Sequence, residues 1–217
     1  MEQNVIELGA TQSLLSEWLL DMRHKDRQTD QRRFRDNMES VGFILAYEIS
    51  KSLDYHAISI ETPLAGATVH TLSEQLVVAA ILRAALPLQS GMLRALPRAS
   101  AAFVSAYRQY DAQGNFEIVT GYQANPPLNG KTLLVVDPMC ATGRSMIACY
   151  QKLIAESKPQ KVIFASVFAS VPGIDYVRQH APGVVHYTCA IDPELDAHAY
   201  IVPGLGDAGD LAFGTKA

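Results

Sequence analysis

Leu133–Met146 reads LLVVDPMCATGRSM. An unbroken apolar run ends in an acid, small residues follow, and a helical pattern begins. A strand with only one covered face would alternate polar and apolar, so Leu133 to Val136 reads as a strand buried on both faces, the kind found in parallel sheets. In such sheets ligands sit beyond the carboxyl ends of the strands, and Asp137 stands at that end. Gly143 marks a tight turn, and Ser145 is placed to cap a helix over Ser145–Ser157. A helix N-terminus carries unpaired N–H groups and a partial positive charge, a natural seat for phosphate. Ala141, Thr142 and Gly143 are small enough for close backbone approach, and the hydroxyls of Thr142 and Ser145 add donors, while Asp137 would accept hydrogen bonds from a sugar. Locally two readings stay open: a cradle for a sugar phosphate, or an acidic strand end followed by a capped helix without a ligand. Neither GxxxxGK[ST] nor a GxGxxG after a strand occurs, which excludes the two commonest nucleotide loops.

Outward from this stretch the chain alternates. Apolar runs rich in β-branched residues lie at Ala57–Ile60, Leu76–Leu82, Ala101–Ala106, Phe116–Thr120, Lys131–Val136, Val162–Val167 and Val184–Ala190, with a further helical pattern at Gly173–His180. Alternation of this kind predicts an α/β fold, a mostly parallel sheet flanked by helices. The turn signal in YRQYDAQGN, Tyr107–Asn115, predicts a hairpin-like excursion over 101–122. Leu14, Leu15, Trp18, Leu19 and Met22 recur at helical spacing, and a second helix is expected from about Asp30 toward Leu53, with a charged stretch from Arg23 to Arg35 between them. Residues 1–217 are read as one domain with an N-terminal helical part over 1–55; from 191 onward, Gly and Asp dominate and the chain reads as loop.

Bulk properties narrow the function class. The 217 residues, 48% hydrophobic and 18% charged, suit a globular domain with a substantial core. The formal net charge of -4 gives no general attraction to nucleic acid or anionic membrane. Cys140, Cys149 and Cys189 form no CxxC pair, so no disulfide framework or cysteine metal site is expected. With no basic-then-apolar leader and no long apolar stretch, a cytoplasmic protein without membrane spans is expected.

The longer match is more specific than the local chemistry. VVDPMCATGRSM, Val135–Met146, resembles the phosphoribosyl pyrophosphate loop of uracil phosphoribosyltransferases, usually VVDPMLATGGSM. Glu61–Leu64 (ETPL), Ile81–Leu86 (ILRAAL, like ILRAGL) and Tyr200–Thr215 (YIVPGLGDAGDLAFGT, like YIVPGLGDAGDRxFGT) follow the same family in the same order, and KDRQT at Lys25–Thr29 with Phe34–Arg35 is similar to its RDKxT and FR. The resemblance implies a phosphoribosyltransferase fold and transfer of a phosphoribosyl group from 5-phosphoribosyl 1-pyrophosphate to uracil, giving UMP and pyrophosphate, with Mg2+ on the pyrophosphate. It implies that Asp137, Pro138, Met139, Cys140, Ala141, Thr142, Gly143, Arg144 and Ser145 hold the ribose and its 5-phosphate. It further implies that Arg83 and Arg108 hold pyrophosphate, that Ile201, Gly206, Asp207 and Ala208 hold uracil in a C-terminal base-binding segment over 191–217, and that Asp207 also approaches the sugar-pyrophosphate or its metal. Asp137, Arg83 and Asp207 are the expected catalytic group; no metal ligand is assigned directly. A homodimer or higher homo-oligomer is implied, with the N-terminal helices as interface. The Arg23–Arg35 run suits either a nucleotide effector, as in some members of the family, or a solvated helix surface.

Four residues depart from the motifs. Ala85 and Pro87 replace glycines of RAGLG, Arg144 replaces the second glycine of ATGGS, and Leu211 replaces the basic residue after GDAGD. Ala resists conformations open to glycine and Pro lacks a donor, so altered pyrophosphate contacts are expected there. These departures motivate an alternative, a weak or inactive phosphoribosyl- or nucleotide-binding regulatory homologue, and a third reading, transfer to another oxo-pyrimidine. Cys140 reads as small filler beside the loop rather than as a reactive thiol.

Overall fold

The structure, a computed structural model, describes residues 4–110 and 116–215; of 107–110 and 116–118 it describes the backbone alone. In chain order the strands and helices are β1 (Val5–Glu7), α1 (Leu14–Arg23), α2 (Gln31–Ser50), β2 (Tyr55–Glu61), β3 (Gly66–Leu72), β4 (Leu76–Leu82), α3 (Leu86–Ala95), β5 (Ser100–Tyr110) and β6 (Phe116–Ala124). There follow β7 (Thr132–Val136), β8 (Met139–Cys140), α4 (Arg144–Ile154), β9 (Lys161–Ser170), α5 (Val171–His180), β10 (Val185–Asp192), β11 (Glu194–Leu195), β12 (Ile201–Val202) and α6 (Ala208–Phe213).

The main sheet runs β1-β10-β9-β7-β4-β5-β6, with β8 also on β9, and only the β5–β6 pairing is antiparallel. It is covered on both faces, as the apolar runs require. Val78, Ala80, Leu134 and Val136 point toward α1, α2 and α3, in a core with Leu45, Ile49 and Leu88. Val77, Ala79, Leu133 and Val135 point the other way, in a core with Met146, Ile147, Leu153, Ile174 and Val177 of α4 and α5. Alternate residues of one strand thus enter opposite cores, the period-2 geometry of a strand. No helix among the described residues is long and apolar enough to cross a membrane.

Four elements differ from the sequence expectation. Tyr55–Glu61 is not in the main sheet; it pairs antiparallel with Gly66–Leu72, an unexpected strand, in a separate exposed hairpin. Only four residues join the two strands, far too few for a parallel crossover, and Thr62 closes the turn by donating its N–H to the Ala65 carbonyl at 3.0 Å. Leu86–Ala95 forms α3 although LPLQSGMLRA contains both Pro and Gly. Its Pro87 sits in the first turn, where N–H groups lack helical partners anyway. The N-terminal part, read as helical, also contributes β1 to the sheet edge. The C-terminal segment, read as loop, contains β11, β12 and α6. The hairpin expected over 101–122 is present as β5–β6, while the turn in it lies outside the described residues.

Candidate active site

Two neighbouring strands end at the site. β4 and β7 pair in parallel with Ala80 opposite Val136, so Arg83 and Asp137 leave the carboxyl edge of the sheet side by side. A cavity of about 210 Å³ opens there. One wall is Asp137, Met139, Cys140, Ala141, Thr142, Gly143 and Ser145; the other is Tyr200, Ile201, Gly206, Asp207, Ala208 and Gly209, with Arg83 beside them.

The first wall is made by the backbone of the sheet. Met139 and Cys140 pair with Phe168 and Ala169 of β9. Asp137 stays close to the loop it introduces, its Oδ1 accepting the Met139 N–H at 3.2 Å. Gly143 is the residue before α4, at φ +72, and a Cβ there would stand 2.7 Å from the Gly173 carbonyl oxygen. Only glycine fits both demands. The cap expected from Ser145 is not made: Gly143 takes the cap position without a side-chain bond, and Ser145 is the second residue of the helix, where it faces the cavity. The Arg144 N–H donates to the Thr142 hydroxyl oxygen at 3.4 Å, and the cap residue offers no side chain to the N–H groups that follow, so this helix end suits an anion. Ser170, unread in the sequence, braces the loop from behind. Its hydroxyl donates to the Ala141 carbonyl at 2.6 Å and accepts the Gly173 N–H at 2.9 Å. The pairing of Ser170 with Pro172 was the available signal, a cap followed by an early helical proline.

The second wall has little regular structure and is held by distant side chains. Asp207 caps α6, its Oδ1 accepting the Asp210 N–H at 2.9 Å. Arg83 donates from Nη2 to Asp210 Oδ1 at 2.7 Å and to the Gly214 carbonyl at 2.9 Å, while its buried Nε has no partner among the described residues. Arg35 reaches the Ala212 carbonyl at 2.6 Å. Arg23 grips Asp192 and the Gly204 carbonyl. Gln28, with its amide nitrogen turned inward, reaches the Leu205 and Met22 carbonyls at 3.1 and 2.7 Å. None of these roles was legible in the charged stretch, where Arg27 and Arg33 instead pair with Asp21.

Electrostatics set the state of the acids. Burial raises the Asp137 carboxyl to about 7, with the Asp207 charge adding to the rise and the Met139 N–H opposing it. Burial likewise pushes the Cys140 thiol far above its usual range, so it is inert filler and not a nucleophile.

Some expected residues stand apart. Pro138 and Arg144 do not line the cavity; the Pro138 carbonyl accepts from Val167 and Phe168, and the Arg144 guanidinium lies 6.0 Å from the centre of the Tyr176 ring. Arg108 lies on β5, its side chain outside the described residues. Ala85 has φ -79, an ordinary right-handed conformation, and is fully buried. The strain expected from replacing glycine there does not arise, because the position never needs a positive φ.

The sequence model of the family described as uracil phosphoribosyltransferase matches residues 10–215. A uracil phosphoribosyltransferase of Porphyromonas gingivalis is 45% identical over 213 residues, covering 98% of this chain and 99% of that one. Another, from Sulfurisphaera tokodaii, is 39% identical, covering 88% and 92%. A solved structure of an Aquifex aeolicus protein superposes with a TM-score of 0.87 at 26% identity, over 98% of this chain and 99% of that one.

Proposed function

The chain belongs to the uracil phosphoribosyltransferase family, and on that premise we propose how its own residues transfer a phosphoribosyl group from 5-phosphoribosyl 1-pyrophosphate to uracil, giving UMP and pyrophosphate. The observation that carries the reading is the single cavity shared by the Asp137–Ser145 loop and the Ile201–Gly209 segment. A phosphate seat and a Gly-rich base seat on facing walls of one cavity suit a reaction between a sugar phosphate and a flat heterocycle.

The N-terminus of α4 with Ala141, Thr142, Gly143 and Ser145 holds the 5-phosphate, and Asp137 accepts from the ribose hydroxyls. As the bond at the anomeric carbon breaks, positive charge grows on the ribose and negative charge on pyrophosphate. Asp137 and Asp207 face the first; Arg83, whose Nε awaits an acceptor, faces the second. Arg108 is assigned to pyrophosphate by resemblance alone. Uracil N1 bonds to the anomeric carbon as the carbon–oxygen bond to pyrophosphate breaks; the electron pair goes to pyrophosphate, and the N1 proton is taken up by the departing pyrophosphate or by solvent. Backbone groups around Ile201, Gly206 and Ala208 match the acceptor-donor-acceptor edge of uracil, and cytosine would leave some of them unpaired. Holding both reactants on one cavity wall each removes an entropic barrier.

Asp137 and Asp207 also fit Mg2+. Two hard carboxylates line one cavity, and burial, with a smaller push from the Asp207 charge, raises Asp137 to about 7, so a cation carried on pyrophosphate would favour its charged form. Mg2+ commonly takes one or two carboxylates plus substrate phosphates rather than a full protein cage, and no cluster of three or more His, Cys, Asp or Glu that could hold a metal exists among the described residues. When bound it would neutralise the leaving group.

The inactive alternative drew on Ala85, Pro87 and Arg144. The ordinary backbone at Ala85 and the first-turn position of Pro87 favour turnover. A homodimer or higher homo-oligomer belongs to the same proposal. Tyr55, Ile58, Ile60 and Val69 of the β2–β3 hairpin are exposed, Leu64 at its tip is 96% exposed, and Phe43 and Tyr47 of α2 add to the exposed apolar surface. Light scattering of the wild type and of Leu64→Asp checks it; a monomeric wild type would overturn it. For the reaction, purified protein with 5-phosphoribosyl 1-pyrophosphate, Mg2+ and uracil should release UMP, and a rate no higher than a protein-free control would refute the reading. A panel of oxo-pyrimidines at equal concentration should show uracil preferred.

A further inference from the structure

We propose that Arg23 and Asp192 are positioning residues for the base half of the site, acting through Gly204; this rests on the uracil reading above. Arg23 ends α1, far in sequence from the cavity. Its Nη1 donates to Asp192 Oδ2 at 2.9 Å and to the Gly204 carbonyl at 3.0 Å, and its Nη2 donates to Asp192 Oδ1 at 2.8 Å. Asp192 Oδ2 in turn accepts the Gly204 N–H at 3.1 Å. One ion pair therefore fixes both polar groups of a single peptide residue.

That residue is where the chain turns into the base segment. Gly204 has φ +49 and folds so closely onto the Ile201 carbonyl that no side chain fits between them. Ile201 and Gly206, on either side of this turn, both line the cavity. A site that reads a base with backbone groups has no rotamers to adjust, so its accuracy depends on what holds the backbone. A displacement of about 1 Å there is enough for a large loss.

The pair is built for geometry rather than for net stability. The Asp192 side chain is only 7% exposed and that of Arg23 25%. Desolvation largely offsets the attraction in such a pair, but the guanidinium fork fixes direction in a way that a point charge does not. The guanidinium also lies 4.2 Å from the centre of the Phe168 ring. Phe168 pairs with Met139 and donates its N–H to the Pro138 carbonyl, both in the phosphate loop. The pair thus references the base turn to the strand that carries the other half of the site.

The test is initial-rate kinetics on wild type, Arg23→Lys and Asp192→Asn, varying uracil and 5-phosphoribosyl 1-pyrophosphate separately, with a thermal melt of each protein. Arg23→Lys keeps the charge and loses the fork; Asp192→Asn keeps the size and one acceptor, and reads the geometry if the lysine variant fails to fold. Expected are a rise of about tenfold in KM for uracil and weaker rejection of cytosine, with KM for 5-phosphoribosyl 1-pyrophosphate within about twofold of wild type. An unchanged uracil KM in Asp192→Asn, or equal rises in both KM values, would overturn the proposal while leaving the uracil reading intact. Absence of wild-type turnover would overturn that reading and the proposal together.

Discussion

The Asp137–Ser145 loop and the Ile201–Gly214 segment face each other across one cavity, yet they are held in different ways. The loop continues β7, pairs with β9 through Met139 and Cys140, and hands directly into α4. Its shape follows from strand ends, a helix start and two close glycine contacts at Gly143 and Gly173. The base segment has a two-residue strand and a six-residue helix, and its carbonyls at Gly204, Ala212 and Gly214 are gripped by Arg23, Arg35 and Arg83. The first wall is set by local backbone geometry, and the second by long-range side chains.

Breaking the first wall should have the largest effect. Asp137→Asn is expected to lower kcat/KM by about a thousandfold, about 4 kcal/mol of transition-state stabilisation. The same change should stabilise the ligand-free protein. A carboxyl raised from 3.8 to about 7 holds its proton more tightly in the folded chain than in the unfolded one. Its contribution is fully present below about pH 4 and is lost as pH rises through about 7. Asp137→Asn should therefore melt higher than wild type at pH 8, by on the order of 2 kcal/mol, with the difference closing below pH 4. Wild-type kcat/KM for 5-phosphoribosyl 1-pyrophosphate should climb through about pH 7 as Asp137 ionises. A variant no more stable than wild type at pH 8 would contradict the buried-carboxyl account.

Gly143→Ala comes next. Its Cβ must displace the Gly173 carbonyl in a left-handed conformation, at an expected cost of about 2–4 kcal/mol measured by urea unfolding. The rise in KM should fall on 5-phosphoribosyl 1-pyrophosphate and spare uracil. A rise on uracil instead would erase the distinction between the walls.

A smaller effect with the opposite sign is expected in the second wall. Ala199 is the only non-glycine residue at positive φ among the described residues, at φ 62, and it lines the cavity. Ala199→Gly should stabilise the chain by about 1 kcal/mol, read as a higher melting temperature. The smallest effect belongs to the turn after β4. Ala85→Gly combined with Pro87→Gly should leave kcat/KM within about threefold and lower stability by about 1 kcal/mol through the freer unfolded chain. A large gain in activity would show that these substitutions do impair the turn.

The two walls also differed in how far they could be read beforehand. The Leu133–Met146 stretch carried its own structure, because strand burial, turn and helix start are local properties written in consecutive residues. Asp137, Thr142 and Gly143, singled out from this stretch, line the cavity, while the cap is Gly143 and not Ser145. The base segment was recognised by resemblance alone, its residues having read as loop, and α6 went unseen because a helix of six residues carries no periodic pattern to detect. Leu86–Ala95 was missed because Pro87 and Gly91 look like breakers until their positions are known.

By itself the sequence determined the α/β class, the strand-loop-helix at Leu133–Met146 and the family, since hydrophobic periodicity and contiguous motifs survive without coordinates. Only the tertiary structure decided that the Arg23–Arg35 run is in part a clamp on the far end of the chain, that Arg83 is shared with Asp210 and Gly214, and that burial, helped by the Asp207 charge, raises the Asp137 pKa. The physical reason is range. Backbone preferences act over a few residues, whereas ion pairs, cavities and desolvation depend on which distant segments the fold brings together.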